Sequence, residues 1–381
     1  MHSLLGRLAA FAAGALFFAC CGFAAAADPI RIGLVDETSG PQAEAGVLTL
    51  RGVQLALDEI NTAGGIAGRP VELVVEDNQS TNPGTVLAYS KLMDKKVVAV
   101  VGPLRSTQVQ AASPTIAKAR LPAIIGGSDP SLTKVNNPWI FRVRPSDVYS
   151  SRVMAEYGVN TLGKRRWAII HSTDTFGANG KNALVASLKA LGVEPVLVQG
   201  YTNNQQDFTA VVLAARKAGA DIIGSYMTNS PDVGIFAKQL KQLGVVVPWI
   251  GSTSLATETA IRLAGDALWN SYAVTDFFPE ANAESQAFAA KFRARHGNDP
   301  DLYSAWSYAA LYLLKHAIEQ AGSTESDALR RALLATRGLK GIAGTYRFDA
   351  NGDGLHGYTV VRNDRGKLGF VKYVEFEPEM K

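Results

Sequence analysis

Residues 97–107 read Val-Val-Ala-Val-Val-Gly-Pro-Leu-Arg-Ser-Thr, and this stretch decides the fold. An unbroken apolar run dominated by valine suits a strand covered on both faces, since a strand with one wet face alternates polar and apolar residues. Gly102 and Pro103 then stop the strand, and Ser106 and Thr107 open a helix. The same alternation extends in both directions. Upstream lie an apolar run at 30–35, a helix with Val47, Leu50, Val53, Leu57 and Ile60 at spacings of three and four, a strand at 71–75 and a helix from about Pro83. Downstream comes a strand at 122–126. A second series follows residues 140–143: strands at 167–170, 196–198, 222–225, 245–251 and 272–275, with helices between them. Buried strands separated by helices predict parallel βαβ units, so the fold class is α/β with two doubly wound parallel-sheet lobes. From Ala283 the pattern is mostly helical, and segments 345–348 and 358–361 read as antiparallel strands joined by turn residues.

The totals agree with two lobes. The chain has 381 residues, 47% apolar and 19% charged, which excludes the composition of a disordered chain. Its 38 basic and 34 acidic side chains give a formal charge of +4 without a block of like charges, so nucleic acid is a poor partner. Arg7, the apolar run 8–18 and Ala24 to Ala27 have the layout of a secretory signal peptide over residues 1–27, cut near Ala27. Both cysteines, Cys20 and Cys21, fall inside it, so the expected mature chain has no thiol chemistry. The alternative is cleavage before one of these cysteines with lipid anchoring there.

Catalytic signatures are absent from the sequence. There is no phosphate-cradling loop, no His-Glu-x-x-His and no nucleophile elbow. His171, Ser172 and Asp174 share one strand end, whereas a triad converges from separate elements. Asp349, Asn351, Asp353 and Gly354 imitate a calcium loop, but Val360 stands where its bidentate glutamate belongs, so a hairpin turn is expected. No enzyme activity, metal or cofactor is expected. What stands out is hydroxyl and amide residues at predicted strand ends, where open α/β sheets bind ligands. Thr38-Ser39-Gly40, Arg105-Ser106-Thr107 and Gly126-Gly127-Ser128 follow three strands of the first series. Each alone is a cap or turn; three at equivalent ends of one sheet point to a pocket for a carboxylate. Arg105 reads either as a solvated rim residue or as a charged partner of that carboxylate.

Several runs resemble the periplasmic binding proteins of the leucine/isoleucine/valine type. They include Glu59-Ile60-Asn61 with Gly64-Gly65-Ile66-Ala67-Gly68-Arg69-Pro70, Val100-Val101-Gly102-Pro103, Phe141-Arg142-Val143-Arg144-Pro145-Ser146-Asp147 and Gly344-Thr345-Tyr346-Arg347-Phe348-Asp349. The resemblance implies a type I flytrap with three hinge crossings near Pro145, Asp276 and Leu355. Lobe 1 would comprise 28–146 plus 277–355, and lobe 2 would comprise 147–276 plus 356–381. It further implies a monomer in the periplasm that hands a small carboxylate-bearing ligand to the permease subunits of an ABC transporter. A ligand-sensing domain of a receptor would share this shape. Carried over by position, Ser106, Ser128 and the Gly126 backbone match the binders of the ligand carboxylate. Phe176 stands at a frequent pocket tyrosine, and Thr228 and Asn229 fall near another tyrosine pair. Thr253 stands where amino-acid binders carry a glutamate for the ligand ammonium. Either Asp174 or Asp276 supplies that charge, or the ligand is an aromatic or other organic acid without an ammonium.

Overall fold

The computed structural model describes residues 28–377, so the expected signal segment with Cys20 and Cys21 and the last residues of the expected second lobe lie outside the described residues. The first half of the chain runs β1 (Ile30–Asp36), α1 (Ala43–Thr62), β2 (Val71–Asp77), α2 (Asn82–Met93), β3 (Ala99–Val101), α3 (Ser106–Ala119), β4 (Ala123–Ile125) and β5 (Ile140–Arg142). The second series runs α4 (Asp147–Glu156), β6 (Trp167–Ser172), α5 (Thr175–Ala190), β7 (Leu197–Tyr201), α6 (Thr209–Lys217), β8 (Ile222–Tyr226), α7 (Ser230–Gln242), β9 (Trp249–Gly251), α8 (Glu258–Ala264) and β10 (Tyr272–Thr275). The remainder is α9 (Ala283–His296), α10 (Leu302–Ala321), α11 (Ser326–Ala335), β11 (Leu339–Gly341), β12 (Gly344–Tyr346), β13 (Gly357–Asp364) and β14 (Lys367–Glu375).

Each lobe has one large sheet, and β11 and β12 form a separate two-stranded one. The first large sheet has the order β2-β1-β3-β4-β5, all parallel. The second repeats that order as β7-β6-β8-β9-β10 and then adds β13 and β14 antiparallel at one edge. Such an order reverses direction at the first strand, which opens a crevice at the carboxyl ends of the strands. The apolar runs become buried strands as their composition requires: Ala99, Val100 and Val101 are all buried, as is every residue of β6.

The chain passes between the sheets three times. Val143 belongs to the core under the first sheet and Tyr149 to a core of the second. Thr275 ends β10 in the second sheet, whereas Phe277 and Phe288 pack in the first core. Leu355 is still in the first core, and Gly357 begins β13 of the second sheet. The helices α9 to α11 therefore cover the sheet made by residues 30–142. α10 carries this packing, with Trp306, Ala310, Leu313, Leu314 and Ala317 buried together, and each large apolar side chain so covered is worth ~1.5–3 kcal/mol. Its approach to α1 is close: a Cβ on Gly52 would lie 2.0 Å from the Ser304 carbonyl oxygen, so only glycine fits there.

The expected pairing of the tail strands needs correction. β12 does not pair with β13; it pairs with β11, while β13 pairs with β10 and β14. Residues 349–354 nevertheless form the expected hairpin-like turn, closed by Asp349 N–H to the Asp353 carbonyl and Arg347 N–H to the Gly354 carbonyl, both at 2.9 Å. Within it, Asp349 Oδ1 accepts the N–H groups of Asn351 at 2.8 Å and Asp353 at 2.9 Å. Asp353 itself is taken by the buried Arg142.

Candidate functional site

A cavity of about 280 Å³ lies between the lobes. Its lining comes from the carboxyl ends of parallel strands in both sheets: Glu37 after β1, Leu104 to Gln108 after β3 and Ser128 after β4, facing Asp174 and Phe176 after β6, Asn203 and Asn204 after β7, Met227 to Asn229 after β8 and Thr253 after β9. Gly102 lets the chain turn there. It has φ +104°, and a Cβ would meet the Val35 carbonyl oxygen at 2.2 Å.

The lobe 1 wall is charged but balanced. Arg105 reaches both Glu37 oxygens at 3.2 Å and gives a further hydrogen bond of 2.7 Å to Gln42 Oε1. Its side chain is 14% exposed, so it is neither a solvated rim residue nor a free cation for a ligand. Gln108 Nε2 adds a bond of 2.9 Å to Glu37. Arg144 also lines the cavity; it forks onto Asp276 at 2.6 and 3.1 Å and donates to the Gly126 carbonyl at 2.9 Å. Asp276 thus spends its charge on Arg144 and does not line the cavity. The Gly126 backbone is likewise occupied: its N–H donates to Pro103 O and its carbonyl accepts from Arg144. Ser39 also stands apart, held by Asp77 through its hydroxyl at 2.5 Å and its N–H at 3.2 Å. These three expected site residues are corrected on that ground.

The other eight line the cavity: Arg105, Ser106, Thr107, Ser128, Phe176, Thr228, Asn229 and Thr253. Ser106, the first residue of α3, accepts the Asp129 N–H on its Oγ at 3.3 Å, so its own proton is left to donate. The first N–H groups of α3 have no carbonyl one turn back and add donors beside it. Ser128 Oγ donates to Asp147 at 2.8 Å. Thr228 and Ser172 share a hydroxyl bond of 2.8 Å, and Thr253 meets Thr275 at 3.0 Å. Phe176 packs edge-on against Tyr226. Asp174 caps α5 and accepts from Gly177 N–H, Ser172 Oγ and Asn203 Nδ2. His171 bonds the Ser172 carbonyl and not its hydroxyl, so no triad forms there. Among the described residues, no group of three or more His, Cys, Asp or Glu is arranged to hold a metal.

The lobes touch across the cleft. Gln42 Nε2 donates to Asn229 Oδ1 at 2.8 Å, Asn179 to Asp129 at 2.7 Å, and Thr175 to Gln110 at 2.8 Å, while Thr259 bonds Glu44. This is a closed arrangement. Glu37, Gln42, Asn203 and Asn204 also line the cavity and are not among the residues expected from sequence, which singles out only some of the hydroxyl and amide groups at strand ends. Glu37 and the two asparagines obey the same strand-end rule, which is the signal that finds them.

Relatives give this geometry a context. A family described as periplasmic binding protein matches residues 29–367. An amino acid binding protein of Pseudomonas aeruginosa is 30% identical over 344 residues, spanning 89% of this chain and 91% of its own length. A branched-chain amino acid transporter substrate binding protein of Streptococcus pneumoniae, solved with isoleucine, superposes with a TM-score of 0.84 at 25% identity, covering 91% of this chain and 100% of that one. A solute binding protein of R. palustris, solved with benzoate, has a TM-score of 0.82 at 19% identity over 91% of this chain and 96% of that one, and speaks for the fold alone.

Proposed function

The chain belongs to the periplasmic binding protein family, and from that premise we propose that it captures a small carboxylate-bearing solute outside the cytoplasm by closure of two lobes and delivers it to an ABC transporter. The amino acids, branched-chain ones first, are the favoured solutes. The observation that carries this reading is the closed cavity at the strand ends of both sheets, with the Ser106 hydroxyl free to donate beside the start of α3. Closure follows physically: only a ligand that touches both walls favours the closed form over the open one. The mechanism needs no covalent step, so the chain acts as a binder and not as an enzyme.

The finer assignments belong to the same proposal. Lobe 1 is 28–146 plus 277–355, and lobe 2 is 147–276 plus 356–381. Residues 1–27 are a signal segment removed near Ala27, and the exported chain works as a monomer that docks on permease subunits. The ligand carboxylate lies on Ser106 and Thr107, with Phe176, Thr228 and Asn229 closing from the other side. A second reading, an aromatic or other organic acid, is favoured by Thr253 standing where the binders it resembles carry a glutamate.

Isothermal titration calorimetry of the mature chain with the common amino acids, benzoate and short aliphatic acids tests this. Saturable one-to-one binding of at least one of them is expected. Silence throughout the panel, or chemical turnover of a bound solute, would overturn the reading.

A further inference from the structure

Ser128 stands between the cavity and a buried acid that does not line it. Asp147, the first residue of α4, is 2% exposed. Its Oδ2 accepts the Ser128 hydroxyl at 2.8 Å and its Oδ1 accepts Ser150 Oγ at 3.0 Å, with the Tyr226 hydroxyl 2.6 Å from Ser150. The Asp147 N–H also donates to the Ser128 carbonyl at 2.9 Å, so two bonds in opposite senses fix the pair in register. A hydroxyl has one proton, and an ionised carboxylate only accepts. Ser128 therefore gives its proton to Asp147 and, as part of the cavity lining, keeps only its oxygen lone pairs to offer. Ser106 is its opposite, because its oxygen already accepts the Asp129 N–H and its proton is free. Two hydroxyls on one wall thus present one donor and one acceptor.

The charged groups around Asp147 leave it uncompensated by an ion pair of its own. Arg144 is engaged by Asp276 and Arg142 by Asp353, while Tyr226 and Tyr358 face it as neutral phenols whose pKa burial raises. Its carboxylate is held by hydroxyls.

Resting on the solute-binding reading above, we infer that Asp147, acting through the Ser128 hydroxyl, supplies the negative charge that seats a ligand ammonium, the role Thr253 cannot fill. The ligand class is then a zwitterionic α-amino acid, with its carboxylate on Ser106 and its ammonium on Ser128. Ser128 is the contact; Asp147 is a positioning residue.

A pH signature follows. Burial pushes the Asp147 carboxyl up to about 6, against the lowering bonds from Ser128 and Ser150 and the charges of Arg144 and Arg142. An ammonium at Ser128 favours the ionised form, so the complex has the lower pKa. Binding then expels a proton near that pH. Affinity for an amino acid rises as pH climbs through this region and levels off above it. An acid without an ammonium meets a like charge there, and its affinity falls over the same range.

The test is calorimetry of the mature chain with leucine and with isocaproate, which is leucine without its amino group, at about pH 5 and about pH 7.5 in buffers of different ionisation enthalpy. Expected are proton release with leucine, an affinity several-fold and at most about tenfold higher at the upper pH, and the opposite trend for isocaproate. Asp147→Asn should flatten both pH trends and weaken leucine about tenfold or more, leaving isocaproate unweakened. Should that variant fail to fold, the wild-type pH series and proton count decide. Leucine binding that ignores pH, is untouched by Asp147→Asn, or is weaker than isocaproate at the upper pH overturns this inference alone. Silence of every amino acid, with another carboxylic acid bound, overturns it while sparing the solute-binding reading; silence of all acids sinks both.

Discussion

The two lobes share one strand order yet finish their sheets differently. The first ends at β5 and is covered by helices returning from residues 283–335, whereas the second gains β13 and β14 at its edge. Their cleft walls differ more. Lobe 1 presents Arg105 locked to Glu37 and the oppositely polarised Ser106 and Ser128, all on a buried ionic frame. Lobe 2 presents Asp174 with its own donors, amide groups and Phe176. The difference teaches that a repeated scaffold need not divide the labour equally: on the function proposed above, the first wall is preorganised to hold a small acid, and the second closes over it.

The strongest way to break this comparison is to remove the frame. Arg144→Met leaves the buried Asp276 unpaired, and loss of one partner of a buried ion pair costs ~3–5 kcal/mol. A lower urea midpoint is expected, whereas an unchanged one would show that the frame is dispensable. Next, Ser106→Ala should weaken ligand binding by ~1.5–3 kcal/mol, the range for a hydrogen bond to a charged group, with little change in melting temperature. Thr253→Ala on the opposite wall should cost less than half of that, and calorimetric losses of equal size would erase the asymmetry. Gln42→Ala removes the Gln42–Asn229 bridge, worth ~0.5–1.5 kcal/mol, and should raise the open population in solution scattering without ligand. The smallest effect is expected for Arg31→Ala, whose partner Glu72 is 49% exposed: such surface pairs contribute ~0–1 kcal/mol, so its melting curve should nearly overlay the wild type.

Much of this was legible in the sequence because it is local. The valine run of 97–101 dictates a covered strand, and Gly102, Ser106 and Ser128 mark strand ends by composition alone. What was not legible depends on distant partners. Ser39 has the same chemistry as Ser106, but Asp77, 38 residues away on the neighbouring strand, binds it. Asp276 looks like a ligand for an ammonium until Arg144, 132 residues away, pairs with it. Glu37 and Arg105 each read as available charges and cancel one another. β11 and β14 escaped notice because they are short or exposed at an edge, where the apolar pattern is weak.

The contact of Gly52 with Ser304 ties the first helix of the chain to one that a ribosome produces some 250 residues later. Until those residues emerge, the sheet they cover keeps an apolar face bare, and the nascent polypeptide cannot reach its native state. The interleaved connectivity therefore makes the cover of the first sheet wait for the last third of the chain.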